Sequence, residues 1–394
     1  MSFLHSHSSE CLKSELDLFS LPPTQTSIKS LQWIHYKLVT SLSDDSPIEF
    51  VIPGHGEEYL YLDLTHTMLR LRVCVETAGD STGHLVSPPN NAYACRAYIE
   101  ALLNYSSPAK TSHLTSCLWD ADTPGRMDEQ VESKTANSAL VRRAHYRKLI
   151  RGGRTLDLIG HLHCDVFNQD KFLINGVEVR LRLVRSKDSF CLMDSNGTLS
   201  KIHILDASLL VRRAKISAGL LLAHARMLTK VTAKYLLTKV EVKTFTIHSG
   251  VVAESLDNVI LEQFPKRIIV GFVNNKAFNG DRKLNPFNFK NYGINFFSLY
   301  VDGMQIPSIH FLNEGNSINR DDYSKGYTLF AFDLTPDLLA NYAGHWNLVK
   351  YGSLRLEVRF EKALAETVNC IIYAEFDNVI EIDSSPQVIV DFAG

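Results

Sequence analysis

The chain has 394 residues, of which 45% are hydrophobic and 21% are charged, and its formal net charge is −2 with a pI of about 6.7. This composition supplies enough apolar side chains for two or three folded domains and excludes a disordered chain. The near-neutral charge excludes attraction of the whole protein to nucleic acid or anionic lipid, so any such binding has to be local.

The N-terminal region and the cysteines indicate the compartment. Glu10, Lys13, Glu15 and Asp17 interrupt the N-terminus, which therefore lacks the apolar core of a signal peptide. No apolar run approaches the length of a membrane span. The seven cysteines form no CxxC pair, so we expect reduced thiols and intracellular synthesis; they occupy positions 11, 74, 95, 117, 164, 191 and 370.

Residues 1–45 are predicted to form an N-terminal arm. The arm is polar apart from a leucine-rich patch that includes Leu12, Leu16, Leu18 and Phe19, and Pro22-Pro23 interrupts it. These apolar residues have no obvious helical partner in the chain. We therefore expect them to contact a neighbouring subunit.

Residues 46–215 are predicted to form a first β-rich domain. Strand patterns occur at 48–52, 59–64 and 68–75, and strands return at 156–167 and continue to 213. Helical spacing at 93–103 and 140–150 predicts helices inserted between the strands.

A connecting helix is predicted within residues 216–236. Ser217 is a suitable N-cap, and the apolar residues that follow keep the helical period, namely Leu220, Leu221, Ala225, Leu228 and Val231. This helix separates the first domain from a second one at 237–394.

The second domain repeats a pattern of the first. Residues 176–184 and 352–360 both begin at a glycine and then alternate apolar with charged side chains. Alternation with period two places the apolar side chains on one face of a strand, which suits a half-buried antiparallel sheet. We therefore predict an all-β chain with a few helices, built from two β-sandwich or jelly-roll domains in tandem.

The strongest candidate for a metal or nucleophilic site is His161-Leu-His163-Cys164-Asp165. Alternate residues share a strand face, and imidazole with carboxylate suits zinc, while Cys164 beside histidine resembles a nucleophile pair. The sequence offers neither a second ligand cluster nor an orienting third group. The glycines at 54–56 and 151–153 lack a phosphate-binding pattern. We predict no catalytic residue, no metal and no cofactor.

The segment 141–154 concentrates positive charge without an acidic residue. It either contacts nucleic acid or an acidic partner, or it forms a solvated helix and turn beside the acidic loop that contains Asp120, Asp122 and Asp128. Local compensation of charge is the commoner arrangement, and we predict no specific nucleic-acid binding.

Aromatic residues alternate with asparagine and lysine in the segment 278–297. Such a segment stacks single-stranded bases, packs a loop onto a barrel, or lies across a subunit interface. We take Phe287, Phe289 and Tyr292 as candidate interface residues, together with those of the arm.

Long strings of residues resemble the double jelly-roll major capsid proteins of Polinton/Maverick elements and adintoviruses. The resemblance covers nearly the whole chain and rests on residues 9–19, 47–54, 98–105, 163–170, 183–188, 240–245, 285–292, 326–337 and 373–382. It implies two jelly rolls per chain, a homotrimeric capsomer whose six barrels approximate a hexagonal tile, and an icosahedral shell. The implied partners are further copies of the chain and a minor capsid or penton protein, and the implied location is the virion.

The chain departs from the resembled family at two joins, near residues 83–86 and 300–309. Further strand segments occupy these places in the family, so we expect both barrels to be shortened, as in an endogenised copy with impaired assembly. Two other classes stay open. A host-retained β-sandwich binding protein predicts a concave ligand pocket, and a metal-dependent hydrolase predicts histidines and carboxylates that converge around His161.

Overall fold

Two antiparallel β-barrels follow one another along the chain. The computed structural model describes residues 24–43, 46–54, 60–77, 91–116, 119–129, 155–162, 164–193, 200–306, 318–338, 340, 351–385 and 388–391.

The first barrel contains two sheets. Its strands are β1 (Ile28–Lys37), β2 (Ile48–Ile52), β3 (Leu60–Thr77), β4 (Thr155–His161), β5 (Val179–Leu183) and β6 (Ser200–Ile216). The larger sheet has the order β1-β6-β3-β4, and β2 pairs with β5 in the smaller one. The helices α1 (Asn91–Asn104), α2 (Ser107–Thr111) and α3 (His113–Ser116) lie between β3 and β4 in the chain, and α4 (Asp188–Cys191) lies between β5 and β6.

The linker between the barrels is the helix α5 (Ala218–Leu228). Its first turn is capped as predicted, since the backbone N–H of Leu220 donates to the Ser217 hydroxyl oxygen at 3.4 Å. The predicted linker of 216–236 is longer than this helix, because Ala233 already begins the next strand.

The described part of the second barrel contains a sheet of five strands, a sheet of four strands and a small two-stranded ribbon. Its elements are β7 (Ala233–Ile247), β8 (Ala253–Gln263), β9 (Arg267–Asn274), α6 (Asn275–Phe278), β10 (Phe289–Lys290), β11 (Ile294–Val301), β12 (Met304–Ile306), α7 (Arg320–Tyr323), β13 (Lys325–Gly326), β14 (Leu329–Asp333), β15 (Tyr351–Phe360), β16 (Val368–Ile382) and β17 (Val388–Asp391). One sheet joins β14, β9, β16 and β7, with β17 beside β16. The other has the order β12-β11-β15-β8, and β10 pairs with β13.

The strand pairs of the second barrel are nested in the chain. The outermost pair is β7 with β16, followed inwards by β8 with β15, β9 with β14, and β11 with β12. Folding a long antiparallel ribbon over on itself produces this order, and eight strands wound in this way form a jelly roll. The first barrel has the same nesting, with β1 paired to β6, β2 to β5 and β3 to β4. Its described residues contain no fourth, innermost pair.

The described residues of the second barrel include all four nested strand pairs, while the predicted join, which follows Ile306, lies among residues 307–317 outside the described residues and stays a prediction. The hairpin of β11 and β12 precedes the join, and in this hairpin Val301 pairs with Met304 across a two-residue loop. Asp302 and Gly303 form that loop with φ angles of 47° and 82°. Both angles are positive, as a tight hairpin turn requires, and Asp-Gly is a favoured sequence for such a turn. The three residues of β12 are therefore held next to β11 by a tight turn.

The predicted shortening of the first barrel stays a prediction. Its join, near residues 83–86, lies outside the described residues, as do residues 130–154. Both segments fall between β3 and β4, which is where an innermost hairpin belongs in the nested order.

Among the residues that the structure describes, three apolar clusters form the core. One fills the second barrel and one fills the first, while the third lies between the second barrel and α1. Strand β9 contributes to two of them and is buried along its whole length. Ile268, Val270 and Phe272 point into the second barrel, whereas Ile269 and Val273 point towards α1. Burial on both faces explains why the sequence of β9 is continuously apolar.

The predicted N-terminal arm contributes a strand to the first barrel. Residues 28–37 form β1, which pairs along its length with β6, so the part of the arm outside the barrel is shorter than 1–45. The alternation of β1 is hard to detect in the sequence, because most of its side chains are exposed on this edge strand. Likewise the two strands predicted at 59–64 and 68–75 are one strand, β3, with an irregularity between Asp63 and Met68.

Two substitutions in the linker helix have opposite expected effects. Ser217→Ala removes the N-cap acceptor and should destabilise the fold by about 1 kcal/mol. Gly219→Ala should stabilise it by up to about 1 kcal/mol, because an added Cβ meets no atom within 4 Å and alanine favours helix. Urea unfolding of both variants measures the difference, and equal midpoints would show that the helix is not formed in solution.

Candidate assembly surfaces and the contact between the barrels

A buried ion pair lies on the outer face of the second barrel. Arg267 of β9 and Glu375 of β16 are cross-strand partners, and their side chains are only 5% and 7% exposed. The Arg267 Nε donates to Glu375 Oε2 at 3.0 Å, and a second guanidinium nitrogen donates to the other carboxylate oxygen. This two-bond geometry is the strongest form of an arginine–carboxylate pair.

The same pair is connected to helix α1. The Tyr373 hydroxyl contacts carboxylate oxygens of Glu375 at 2.6 Å and of Glu100 at 3.1 Å. Arg96 also donates to Glu100 at 2.8 Å, and Arg267 donates to the side-chain oxygen of Asn104 at 3.1 Å. Burial and the neighbouring carboxylates raise the pKa of Tyr373, which keeps the phenol protonated as a donor.

Two further contacts join the barrels near this network. The N–H of Thr238 in β7 donates to the Asp165 carboxylate of the first barrel, and the Gln169 side chain donates to the carbonyl oxygen of Leu236. Burial raises the pKa of Asp165. Because hydrogen bonds fix direction, these contacts hold the two barrels in a defined relative orientation.

A cavity of about 750 Å³ lies beside this network, between α1, β7 and β16. Its charged lining residues are paired within the chain. Lys266 pairs with Asp377 at 2.9 Å, and Arg267 pairs with Glu375. The cavity therefore provides space and aromatic walls, including Trp119, but its principal charges already have partners.

The aromatic segment 278–297 packs onto the second barrel. Phe289 is fully buried, and Phe287 stacks on Tyr98 of α1 with ring centroids 4.4 Å apart and planes 3° apart. Tyr292 is partly buried against the barrel core. Of the alternatives for this segment, packing of a loop onto a barrel is the one observed within the chain. A role of these rings in a subunit interface stays a prediction.

The acidic loop interacts with this aromatic segment. Asp128 accepts hydrogen bonds from the backbone N–H of Asn285, from the Asn288 amide and from the Lys290 ammonium. Asp122 accepts from the Asn285 amide at 3.2 Å. The basic segment 141–154, which we expected beside this loop, lies outside the described residues, so that pairing is untested.

The four candidate interface residues of the arm, Leu12, Leu16, Leu18 and Phe19, also lie outside the described residues. The described chain begins at residue 24.

His161 and Asp165 of the metal-like string do not lie on one strand. His161 ends β4, whereas Asp165 begins a 3-10 turn (Asp165–Asn168) and bonds to Thr238; His163 lies outside the described residues. Within the described residues, no group of three or more histidine, cysteine and acidic side chains is placed to hold a metal ion. This corrects the view of the string as one barrel strand, since the chain turns after β4.

Cys95, Cys164 and Cys370 lack the lowered pKa of an activated nucleophile. Burial raises the pKa of Cys164, whereas an activated thiol needs a lowered pKa. Burial also raises the pKa of Cys95 to about 12 and that of Cys370. These thiols are protonated at neutral pH and act as small apolar side chains.

Thiol labelling tests this placement. At pH 8 we expect maleimide to modify the exposed Cys191 in the folded protein, more slowly than a free thiol because burial of its sulfur raises its pKa, and to modify Cys95 and Cys370 only after unfolding, because burial blocks both access and thiolate formation. Mass spectrometry of the peptides assigns each site. Rapid labelling of Cys370 in the folded protein would show that β16 is not buried.

Sequence reasoning missed the polar network between the barrels. The signal was present in the form of Glu375, directly after the apolar run 370–374, and of Arg267, directly before the apolar run 268–273. Charged residues in such strands are rarely buried unless they are paired.

Within the described residues, no helix is long and apolar enough to cross a membrane.

No known protein-family model matches the chain. An uncharacterized protein of Caenorhabditis elegans is 24% identical over an alignment of 437 positions, and the alignment covers 94% of this chain and 99% of that protein.

Solved structures are similar over almost the whole chain. A chain of the Sputnik virophage has a TM-score of 0.60 at 12% identity and covers 99% of this chain and 94% of its own length. For the PBCV-1 virus capsid the TM-score is 0.54 at 12% identity, with 95% and 100% covered. For the mavirus major capsid protein it is 0.50 at 11% identity, with 99% and 95% covered. The nested strand order and this similarity together show that the chain has the double jelly-roll fold of virophage and large DNA virus capsid proteins.

Proposed function

We propose that the chain is a structural protein of the major capsid type, which acts by assembly and not by catalysis. The observation that carries the proposal is the tandem of two jelly rolls, whose similarity to capsid chains extends over 95–99% of this chain and 94–100% of those chains. A single jelly roll would carry little weight, because that fold serves many functions. Two in one chain, at this coverage, define a much narrower class.

The assembly we propose is a homotrimer in which six barrels approximate a hexagonal tile of an icosahedral shell. Tiling requires a rigid subunit. The ion pair Arg267–Glu375 holds β9 and β16 together, and its hydrogen bond to Asn104 holds α1 against them, close to the junction of the barrels. Tiling also requires side walls that bury roughly 1,200–2,000 Å² at each contact. We propose further copies of the chain and a minor capsid or penton protein as partners, and the virion as the location if the gene is viral.

We also propose an origin in a Polinton/Maverick element or adintovirus, in a copy that has lost the innermost hairpin of its first barrel. The alignment with the nematode protein extends over 437 positions, more than the 394 residues of this chain. Residues of that relative therefore have no counterpart here.

Loss of this hairpin leaves an open sheet edge. In the second barrel, β15 lies between β8 and β11. The equivalent strand of the first barrel, β5, has β2 as its only partner strand among the described residues. An edge with unpaired N–H and C=O groups pairs readily with other chains, so we expect impaired assembly and misassociation.

The solution mass tests the proposed assembly. We expect the chain with a hairpin from an intact relative inserted between β3 and α1 to elute as a uniform species of three subunits, each slightly heavier than the 44.3 kDa of this chain. Light scattering after size exclusion gives this mass. A stable monomer would contradict the trimer. Neighbouring genes for a packaging ATPase, a protease and a polymerase would support the proposed origin.

A host-retained binding protein is the second candidate, because the cavity of about 750 Å³ is the concave pocket that such a function requires. The internal pairing of its charges argues against it, since a ligand would have to compete with Glu375 for Arg267 and with Asp377 for Lys266. A metal-dependent hydrolase has weaker support. About one equivalent of bound zinc, lost on His163→Ala, would favour it.

A further inference from the structure

An apolar groove lies between the linker helix α5 and the first barrel. Its volume is about 520 Å³, within the range of ligand and peptide sites. Ile28, Tyr61 and Ile216 of the barrel form one side, and α5 forms the other, where His224 is held to the Tyr61 hydroxyl at 2.9 Å. We call this site the linker groove; its other apolar residues include Phe172, Ile174, Leu220, Met227, Leu228 and Val231.

Helix α5 exposes more apolar surface than a solvated helix normally does. Its sequence contains only His224 and Arg226 as polar side chains, yet no residue of the helix is buried. The Met227 side chain at the groove is 55% exposed. Helices that are apolar on all sides are usually buried, and exposed apolar grooves usually mark a contact with another segment. A covering segment is therefore expected.

The part of the N-terminal arm that precedes β1 leaves the first barrel at this groove. The described chain starts at residue 24, and Ser27 and Ile28 line the groove. The Ser27 carbonyl oxygen accepts a hydrogen bond from Ser217 N at 2.8 Å, which fixes the base of the arm at the start of α5. Six extended residues span about 20 Å, twice the width of a helix. Leu18 and the leucines before it are thus within reach of the groove of their own chain.

The charges of arm and groove are complementary. The arm carries Glu10, Glu15 and Asp17 against a single Lys13 between them. Lys171 and Lys234 line the groove. Arg226 lies in the last turn of α5, and Lys230 lies two residues after the end of the helix. Lys234 also pairs with Glu381 at 2.9 Å. Such surface pairs add little affinity, but they disfavour a reversed orientation of the arm.

We propose that residues 12–21 of the arm dock in the linker groove of the same chain. Leucine side chains fill its apolar floor, and the acidic residues face its basic rim. Tethering through Ser27 gives the arm a local concentration of the order of millimolar, which favours docking within one chain over capture of a neighbour's arm. The proposal does not depend on the capsid function.

Cross-linking from the native Cys11 tests the proposal. In the Met227→Cys protein, a short bismaleimide should join Cys11 to the new thiol at position 227 within one chain. The matched control is Met304→Cys, since Met304 is 69% exposed and lies on β12 of the other barrel. We expect at least a tenfold higher yield for the groove variant. Denaturing gels separate linked monomers from linked dimers, and mass spectrometry identifies the joined peptides.

A second pair of changes excludes an accidental cross-link. Leu16→Asp combined with Leu18→Asp should reduce the yield at position 227 to the control level, while circular dichroism stays unchanged. Equal yields at positions 227 and 304, a yield unaffected by the aspartates, or links found only in covalent dimers would each overturn the proposal. The last result would mean that a second copy supplies the arm.

Discussion

Arg267→Ala is expected to destabilise the second barrel by about 3–5 kcal/mol. The substitution leaves the Glu375 carboxylate buried without its cation, next to the Tyr373 hydroxyl. An uncompensated buried charge costs far more than the net contribution of the intact pair. Because a chain of two barrels need not unfold in one step, hydrogen exchange of second-barrel peptides in urea is the suitable measurement.

Two variants separate this effect from a general loss of arginine. Replacing both partners, as Arg267→Met with Glu375→Leu, should recover most of the lost stability, because no charge stays buried. Arg359→Ala removes an arginine that pairs with Glu357 at the surface of the same barrel and should change stability by less than about 1 kcal/mol. If Arg267→Ala lowered the stability of the barrel by no more than Arg359→Ala does, the Arg267–Glu375 pair would have to be solvated.

Phe272→Ala is expected to cost about 3–5 kcal/mol through the cavity that it leaves. Phe272 is fully buried, and its ring meets Phe297 edge-on at 5.8 Å and Phe330 at 6.3 Å. These rings come from β9, β11 and β14, so the cavity affects both sheets of the barrel.

Leu261→Ala is the matched control for this core variant. Leu261 lies on β8 of the same barrel but is 57% exposed, so its truncation should change stability by less than about 0.5 kcal/mol. Hydrogen exchange of β9 and β15 peptides reports both variants. Equal protection in the two would contradict a packed aromatic core between the sheets.

The repeated pattern at 176–184 and 352–360 predicted the doubled fold correctly. The two stretches contain β5 and β15, which are equivalent strands because each pairs with the second strand of its own barrel. In β15, exposed and buried residues alternate along most of the strand. Period two is legible here because one face of each strand meets the core and the other meets solvent.

Other strands were harder to recognise for identifiable reasons. Strand β9 is buried on both faces and has no alternation, while β1 exposes most of its residues. The hairpin at Asp302-Gly303 carried a recognisable turn sequence, but its second strand, β12, has only three residues and is therefore hard to recognise.

The contact between the barrels could not be predicted from local patterns. Arg267, Asn104 and Glu375 are far apart in the chain, and only the fold brings them together. The packing of Phe287 on Tyr98 depends in the same way on the position of α1. Local patterns thus predict strands and caps, whereas the site depends on long-range pairing.

Negative-stain class averages test the central claim most directly. The two proteins to compare are this chain and the same chain with a hairpin inserted between β3 and α1. A double jelly-roll capsid protein that lacks this hairpin should associate irregularly, whereas the completed protein should give uniform six-lobed trimers. Uniform trimers from the unmodified chain would contradict the loss of the hairpin. Absence of trimers from both proteins would contradict the capsid function itself.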